Sequence, residues 1–104
     1  MAAGGPREVE ALGLWSQPGI FSWNRVDPGT ALLLAELPAL SGRGADFGCG
    51  IGLLARAALA SHCVTGMTLI DLDHRAVAAA RKNIGDARAT FHWQDVRQVP
   101  LSSL

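Results

Sequence analysis

The chain has 104 residues, enough for one domain with a single small core. It is 49% hydrophobic and 17% charged, which argues against an intrinsically disordered chain, and nine basic residues offset nine acidic ones, so no global field holds a polyanion. Two cysteines, Cys49 and Cys63, and three scattered histidines offer no zinc-site or disulfide spacing.

The segment Met1-Ala2-Ala3-Gly4-Gly5-Pro6 lacks the basic stretch followed by an apolar one that a secretory signal needs. The most apolar window, Ala31 to Leu40, is interrupted by Glu36 and Pro38 and is too short to cross a bilayer. The expectation is a reducing, cytoplasmic setting, with neither membrane nor metal involved.

In chain order, residues 1–19 are rich in glycine, proline and alanine without a sustained period, and read as a mobile N-terminal segment ending in a loop at Gln17-Pro18-Gly19. Residues 20–104 are expected to form the domain. Ile20-Phe21-Ser22-Trp23 alternates and predicts a short strand with Phe21 and Trp23 on one side. Asp27 is a good N-cap and Pro28 suits the first helical position; Ala31 to Leu37 supplies apolar residues until Pro38 stops the helix, which should pack on the sheet. After a turn at Ser41-Gly42-Arg43, Gly44 to Phe47 predicts a strand running into a glycine-rich loop, and a helix follows over about Gly52 to Ala60.

Val64 to Ile70 is apolar on both faces, as a strand covered by helices on each side should be, and Asp71 ends it. A helix capped by Asp73 sets Ala76, Val77, Ala80 and Ile84 at helical spacing, turns Arg75, Arg81 and Lys82 toward water, and finishes at Gly85. Thr90 to Trp93 reads as a third strand, with Asp95 just past it. The whole is an α/β fold: half of a Rossmann-like doubly wound sheet, strand order 3-2-1 with flanking helices, preceded by a short strand and helix.

Ligands of such sheets sit outside the carboxyl ends of the strands, and the distinctive residues fall there. Gly48, Cys49, Gly50 and Gly52 form a floor of bare backbone after the first strand; Asp71 and Leu72 follow the second, and Asp95 the third. A carboxylate at the second strand's end can accept from both hydroxyls of a ribose, and Asp71 lies 71 − 52 = 19 residues past Gly52, close to the ~20 expected for that role. Asp95 is placed to accept from an adenine amino group. The spacing is G-x-G-x-G, with Leu53 following Gly52, so the dinucleotide pattern G-x-G-x-x-G fails and a nucleoside cofactor without a pyrophosphate is favoured: S-adenosylmethionine.

The run Asp46-Phe47-Gly48-Cys49-Gly50-Ile51-Gly52 resembles motif I of class I S-adenosylmethionine-dependent methyltransferases. Pro18-Gly19-Ile20-Phe21-Ser22, with Asp27-Pro28-Gly29-Thr30 and the leucines 32 to 34, resembles the preceding segment in the small-domain members, among them the type C guanine-N2 methyltransferases of small-subunit ribosomal RNA. The resemblance covers about residues 18–95. It implies that the loop glycines hold the methionine portion, that an acid like Asp71 holds the ribose, and that one like Asp95 reaches the adenine. It also implies that Asp46 steadies the loop or the methionine amine, and that Thr30 approaches the methionine carboxylate.

Family members carry an Asn-Pro-Pro-aromatic motif after the fourth strand, and the present sequence stops before any such residues. The expectation is therefore the cofactor-binding portion of a methyltransferase acting on an exocyclic guanine nitrogen of ribosomal RNA, with no catalytic acid or base of its own. Alternatives are methylation of a protein glutamine or a small molecule, and a cofactor-binding module without turnover, able to self-associate through the exposed edge of its first strand. A nucleotide-dependent oxidoreductase is disfavoured by Leu53. Trp23 and Trp93 are read as core aromatics, and Asp73 as a helix cap rather than a ligand.

Overall fold

The computed structural model describes residues 4–10, 12–95 and 97. In chain order the elements are β1 (Arg7–Val9), β2 (Leu14–Ser16), α1 (Pro28–Glu36), β3 (Gly42–Phe47), α2 (Leu53–Ala58), β4 (Val64–Asp71), α3 (His74–Asn83) and β5 (Ala89–Trp93). The last three strands form one parallel sheet in the order β3-β4-β5, so β4 is central, and α2 and α3 are its crossovers. This is the half of a doubly wound sheet that the apolar runs and helix caps predict.

The core forms where β4 is covered. Leu69 and Ile70 have no exposed surface, and burial of side chains of this size stabilises by roughly 1.5–3 kcal/mol each. Leu69 packs with Ala55, Ala58 and Leu59 of the α2 region and with Ala80 and Ile84 at the end of α3. A second cluster joins Ala76 and Ala79 of α3 to Leu14, Ile20 and Ile51. At the bottom of the sheet Arg88 donates to the carbonyls of Leu59, Ser61 and Val64 (2.5, 3.0 and 2.7 Å), tying the end of α2 to the start of β4. Two helices begin as their caps require: Asp27 accepts from the Thr30 amide and Asp73 from the Arg75 amide.

Four expectations need correction. Within residues 1–19, read as lacking regular structure, β1 and β2 form an antiparallel hairpin with Glu8 opposite Trp15. Leu14 and Ser16 point inward and the Lys82 ammonium sits 4.1 Å over the Trp15 ring. Conversely, Ile20–Trp23 is a series of turns rather than a strand: Ile20 is buried, but Phe21 is 86% exposed and Ser22 is left-handed at φ 52°.

The helix α1 does not pack down on the sheet. None of its residues is buried, and Leu32 and Leu33 are 65% and 54% exposed. Its apolar residues run consecutively instead of at helical spacing, so no single face can cover them. Trp93, finally, is 66% exposed; its indole N–H donates to the Leu72 carbonyl (2.7 Å) and its ring lies 5.2 Å from that of His74.

Candidate functional site

The glycine loop leaves β3 at Phe47 and folds back at once onto the central strand, where the amides of Gly48 and Cys49 both donate to the Ile70 carbonyl (2.8 and 3.0 Å). Gly48, Gly50 and Gly52 all have positive φ, at 75°, 54° and 94°, which is why this turn needs glycine at alternate positions. Beside Gly48 and Gly50 there is open space where a Cβ would stand. Gly52 differs: it is buried as the N-cap of α2, and a Cβ there would come within 2.9 Å of Ile84 Cδ1. The floor expected from Gly48 to Gly52 is therefore open at Gly48 and Gly50 and closed at Gly52, which seats α2 on α3.

Two hollows flank this loop. One, of about 220 Å³, is lined by Thr30, Asp46, Gly48, Cys49 and Gly50 together with Phe21 and Arg25 of the preceding turns. The other, of about 420 Å³, lies across the strand tips and is bordered by Phe47, Gly48, Asp71, Leu72, Asp95 and Arg97. The structure thus gathers eight of the nine residues singled out from sequence around one loop and sorts them by side: Thr30, Asp46, Cys49 and Gly50 toward the first hollow, Asp71, Leu72 and Asp95 toward the second, and Gly48 between them.

Asp71 already holds backbone. Its Oδ2 accepts from the Gly50 amide (2.9 Å) and its Oδ1 from the Asp73 amide (2.8 Å), so the carboxylate fixes the loop as well as facing the second hollow. Lone pairs remain for further donors, because each carboxylate oxygen can accept twice. Asp95 pairs with Arg97 through the Arg97 amide (2.9 Å) and its guanidinium, and that partner holds its carboxyl down at about 2. Thr30 bonds Asp27 through both its amide and its hydroxyl (3.1 Å each), serving the α1 cap from the wall of the first hollow. Cys49 turns its side chain into the core, and burial, followed by the charges of Asp71 and Asp46, pushes its thiol up to about 12, which disfavours the thiolate that a nucleophile needs.

Asp46 is the group left without a partner. Burial first, and then the charge of Asp71, raise its pKa, and its buried Oδ2 has no hydrogen-bond partner. A buried carboxylate oxygen in that state is costly unless something else satisfies it. A site with two neighbouring carboxylates, open backbone and, among the described residues, a single arginine on each hollow suits a ligand bearing positive charge better than a pyrophosphate. The residues present therefore fit S-adenosylmethionine, which carries a sulfonium and an amine. Among the described residues no group of His, Cys, Asp and Glu side chains is arranged to hold a metal ion, and no helix is long and apolar enough to cross a membrane.

Sequence reasoning missed Asn83. Its side chain reaches the loop at the Ile51 carbonyl, and no periodic pattern marks a contact between residues so far apart.

Comparison with known proteins places the chain in a family. The profile of the methyltransferase small domain family matches residues 11–101. The chain is 47% identical over 77 residues to the ribosomal RNA small subunit methyltransferase C of Pseudomonas entomophila, covering 73% of this chain and 23% of that one. It is 48% identical over 61 residues to the protein of the same name from Shewanella sp. strain W3-18-1 (59% and 18% of the two chains) and 40% identical over 74 residues to that from Psychromonas ingrahamii (70% and 21%). The chain therefore spans about a fifth of the length of the curated relatives it matches. A family profile covering most of the sequence shows that the chain belongs to the methyltransferase small domain family.

Proposed function

We propose that this chain is the S-adenosylmethionine-binding portion of a methyltransferase acting on an exocyclic guanine nitrogen of ribosomal RNA in the cytoplasm. The observation that carries the cofactor reading is that Asp46, whose buried Oδ2 has no hydrogen-bond partner, borders the hollow beside open glycine backbone. In this reading Asp46 receives the methionine amine and Thr30 lies toward the methionine carboxylate. Gly48, Cys49 and Gly50 lend their backbone, Asp71 receives the ribose hydroxyls while holding the Gly50 amide, and Leu72 and Asp95 border the adenine. The bound cofactor supplies an activated methyl on its sulfonium. The chain's part is positioning, which is most of what an in-line transfer needs. The substrate assignment is supported by the names of the relatives, for ribosomal RNA, and by the resemblance of the segment before motif I to the small-domain members, for the guanine nitrogen.

A second reading, a cofactor-binding module that transfers nothing by itself and associates with a second copy, is favoured by β3, which among the described residues is paired only with β4.

Titration calorimetry with S-adenosylmethionine, S-adenosylhomocysteine and NAD tests the cofactor reading: binding of the first two is expected, and binding of NAD alone would overturn it. Incubation with labelled cofactor and undermethylated ribosomal RNA tests the rest. Label is expected only when the chain is extended past Leu104 to the length of its relatives. Transfer by the 104-residue chain itself would rule out the module reading.

A further inference from the structure

The side chain of Asn83, the last residue of α3, satisfies three backbone groups from two distant segments. Its Oδ1 accepts from the Trp15 amide (2.7 Å), and its Nδ2 donates to the Trp15 carbonyl (2.9 Å) and to the Ile51 carbonyl (2.8 Å). Toward Trp15 the amide therefore behaves like one more strand laid along β2, with a donor and an acceptor matched to the peptide. Toward Ile51 it holds the glycine loop directly. Ile51 packs its own side chain into the cluster formed by Leu14, Ile20, Ala76 and Ala79, so the loop is fastened to the hairpin by a polar and an apolar contact at once.

From this geometry we infer that Asn83 is a positioning residue that couples the N-terminal hairpin to the glycine loop, and so sets the loop's readiness to bind the cofactor. The inference rests on the reading of that loop as the cofactor floor, but the coupling itself is a property of the unliganded fold. The next residues along the loop are held from the other side: the Gly50 amide donates to Asp71 and the Gly52 amide to the Cys49 carbonyl. Ile51 lies between these two anchors, and Asn83 is the side chain that holds its carbonyl. Removing the amide leaves the Ile51 carbonyl and both Trp15 groups unsatisfied together, which favours an opened loop over a strained closed one.

The test uses amide hydrogen exchange and calorimetric titration of S-adenosylmethionine on the full chain, comparing Asn83→Ala with Arg88→Met. The second change removes more side-chain hydrogen bonds than the first, five against three, at the opposite end of the sheet, away from the loop. Asn83→Ala is expected to speed exchange at Gly50 and Gly52 about tenfold without ligand and to weaken cofactor binding by about the same factor, while Leu69 stays protected. Arg88→Met should lower the unfolding midpoint yet leave loop exchange and affinity within about twofold of the parent.

Should Asn83→Ala fail to fold, Asn83→Asp keeps the acceptor for the Trp15 amide and loses both donors, and Leu14→Ala loosens the hairpin with Asn83 intact. Both should expose the same two amides. Unchanged loop exchange in these variants, or a uniform rise across all amides, would overturn the coupling. Normal coupling in a chain that binds no S-adenosylmethionine would instead overturn the cofactor reading and leave the coupling standing.

Discussion

Burial and the neighbouring Asp71 both oppose ionisation of Asp46, and one of its oxygens has no partner. In the window between 3.8 and its raised pKa the native state binds more protons at this site than the unfolded chain does, so the site's contribution to stability falls as pH rises through that window. Asp46→Asn removes the buried charge. It should raise stability at neutral pH by on the order of 1 kcal/mol, or about 4–8 °C in Tm, flatten that part of the pH profile, and weaken S-adenosylmethionine binding about tenfold. Thermal unfolding across pH with parallel titrations checks all three, and a variant no more stable than the parent would mean that Asp46 has a partner in solution. The loop glycines separate in the same way. Gly52→Ala forces a positive φ on alanine and drives its Cβ toward Ile84 Cδ1, 2.9 Å away, at an expected cost of roughly 2–4 kcal/mol. Gly48→Ala meets open space; it should cost only the backbone strain of about 1–2 kcal/mol while narrowing the ligand's shelf. Denaturant unfolding should rank the first as the larger loss, whereas titration should show the second impaired in binding by more than its smaller loss of stability accounts for.

At the scale of elements, α3 was legible because each of its signals agrees: an aspartate cap, apolar residues at helical spacing and basic residues in the last turn. Asp73 also draws in Arg75, whose guanidinium pairs with it at 2.9 Å and reaches the Gly19 carbonyl at 3.2 Å, so the arginine, at the surface as expected, also pins the turn before α1. The Arg75 hydrogen bond is the first cause of the lowered pKa of Asp73, so its contribution is present above 3.8 and fades as pH falls. Asp73→Ala should cost about 1 kcal/mol at neutral pH and less in acid, as read by thermal melts at the two pH values. The central strand was legible for a simpler reason: Val64 to Ile70 is apolar on both faces and needs cover on each. The hairpin was not legible, since three-residue strands carry too little pattern and what holds β2 is Asn83, 68 residues away. Ile20–Trp23 misled because its alternation is real but Pro18-Gly19 and left-handed Ser22 bend it out of extension. Asp71 was singled out by its spacing from the glycines, yet its grip on the Gly50 amide is a tertiary fact that spacing does not encode.

For the whole molecule, the largest unmet demand is on the β3 side. That strand is hydrogen-bonded along one edge among the described residues, Phe47 at its tip is half exposed, and α1 stands beside it with Leu32 and Leu33 in solvent. Leu33, Leu37, Leu40, Ala45 and Leu54 border an apolar hollow of about 190 Å³ between that helix and the sheet. An open parallel edge flanked by apolar surface is a template for another strand, and in solution the available strand is that of a second copy. The isolated chain is therefore expected to sediment faster as its concentration rises. The double substitution Leu32→Lys, Leu33→Lys should suppress this while changing stability by no more than ~0.5 kcal/mol, because neither side chain is buried in the monomer. Cofactor affinity gives a linked readout. Asp46 and Phe47 belong to the same strand that the second copy would cover, so association should tighten S-adenosylmethionine binding, and the apparent Kd should fall with protein concentration in the parent but not in the double variant. Sedimentation independent of concentration in the parent would show that α1 and the β3 edge are adequately solvated as they stand, and the module reading would lose the observation that favours it.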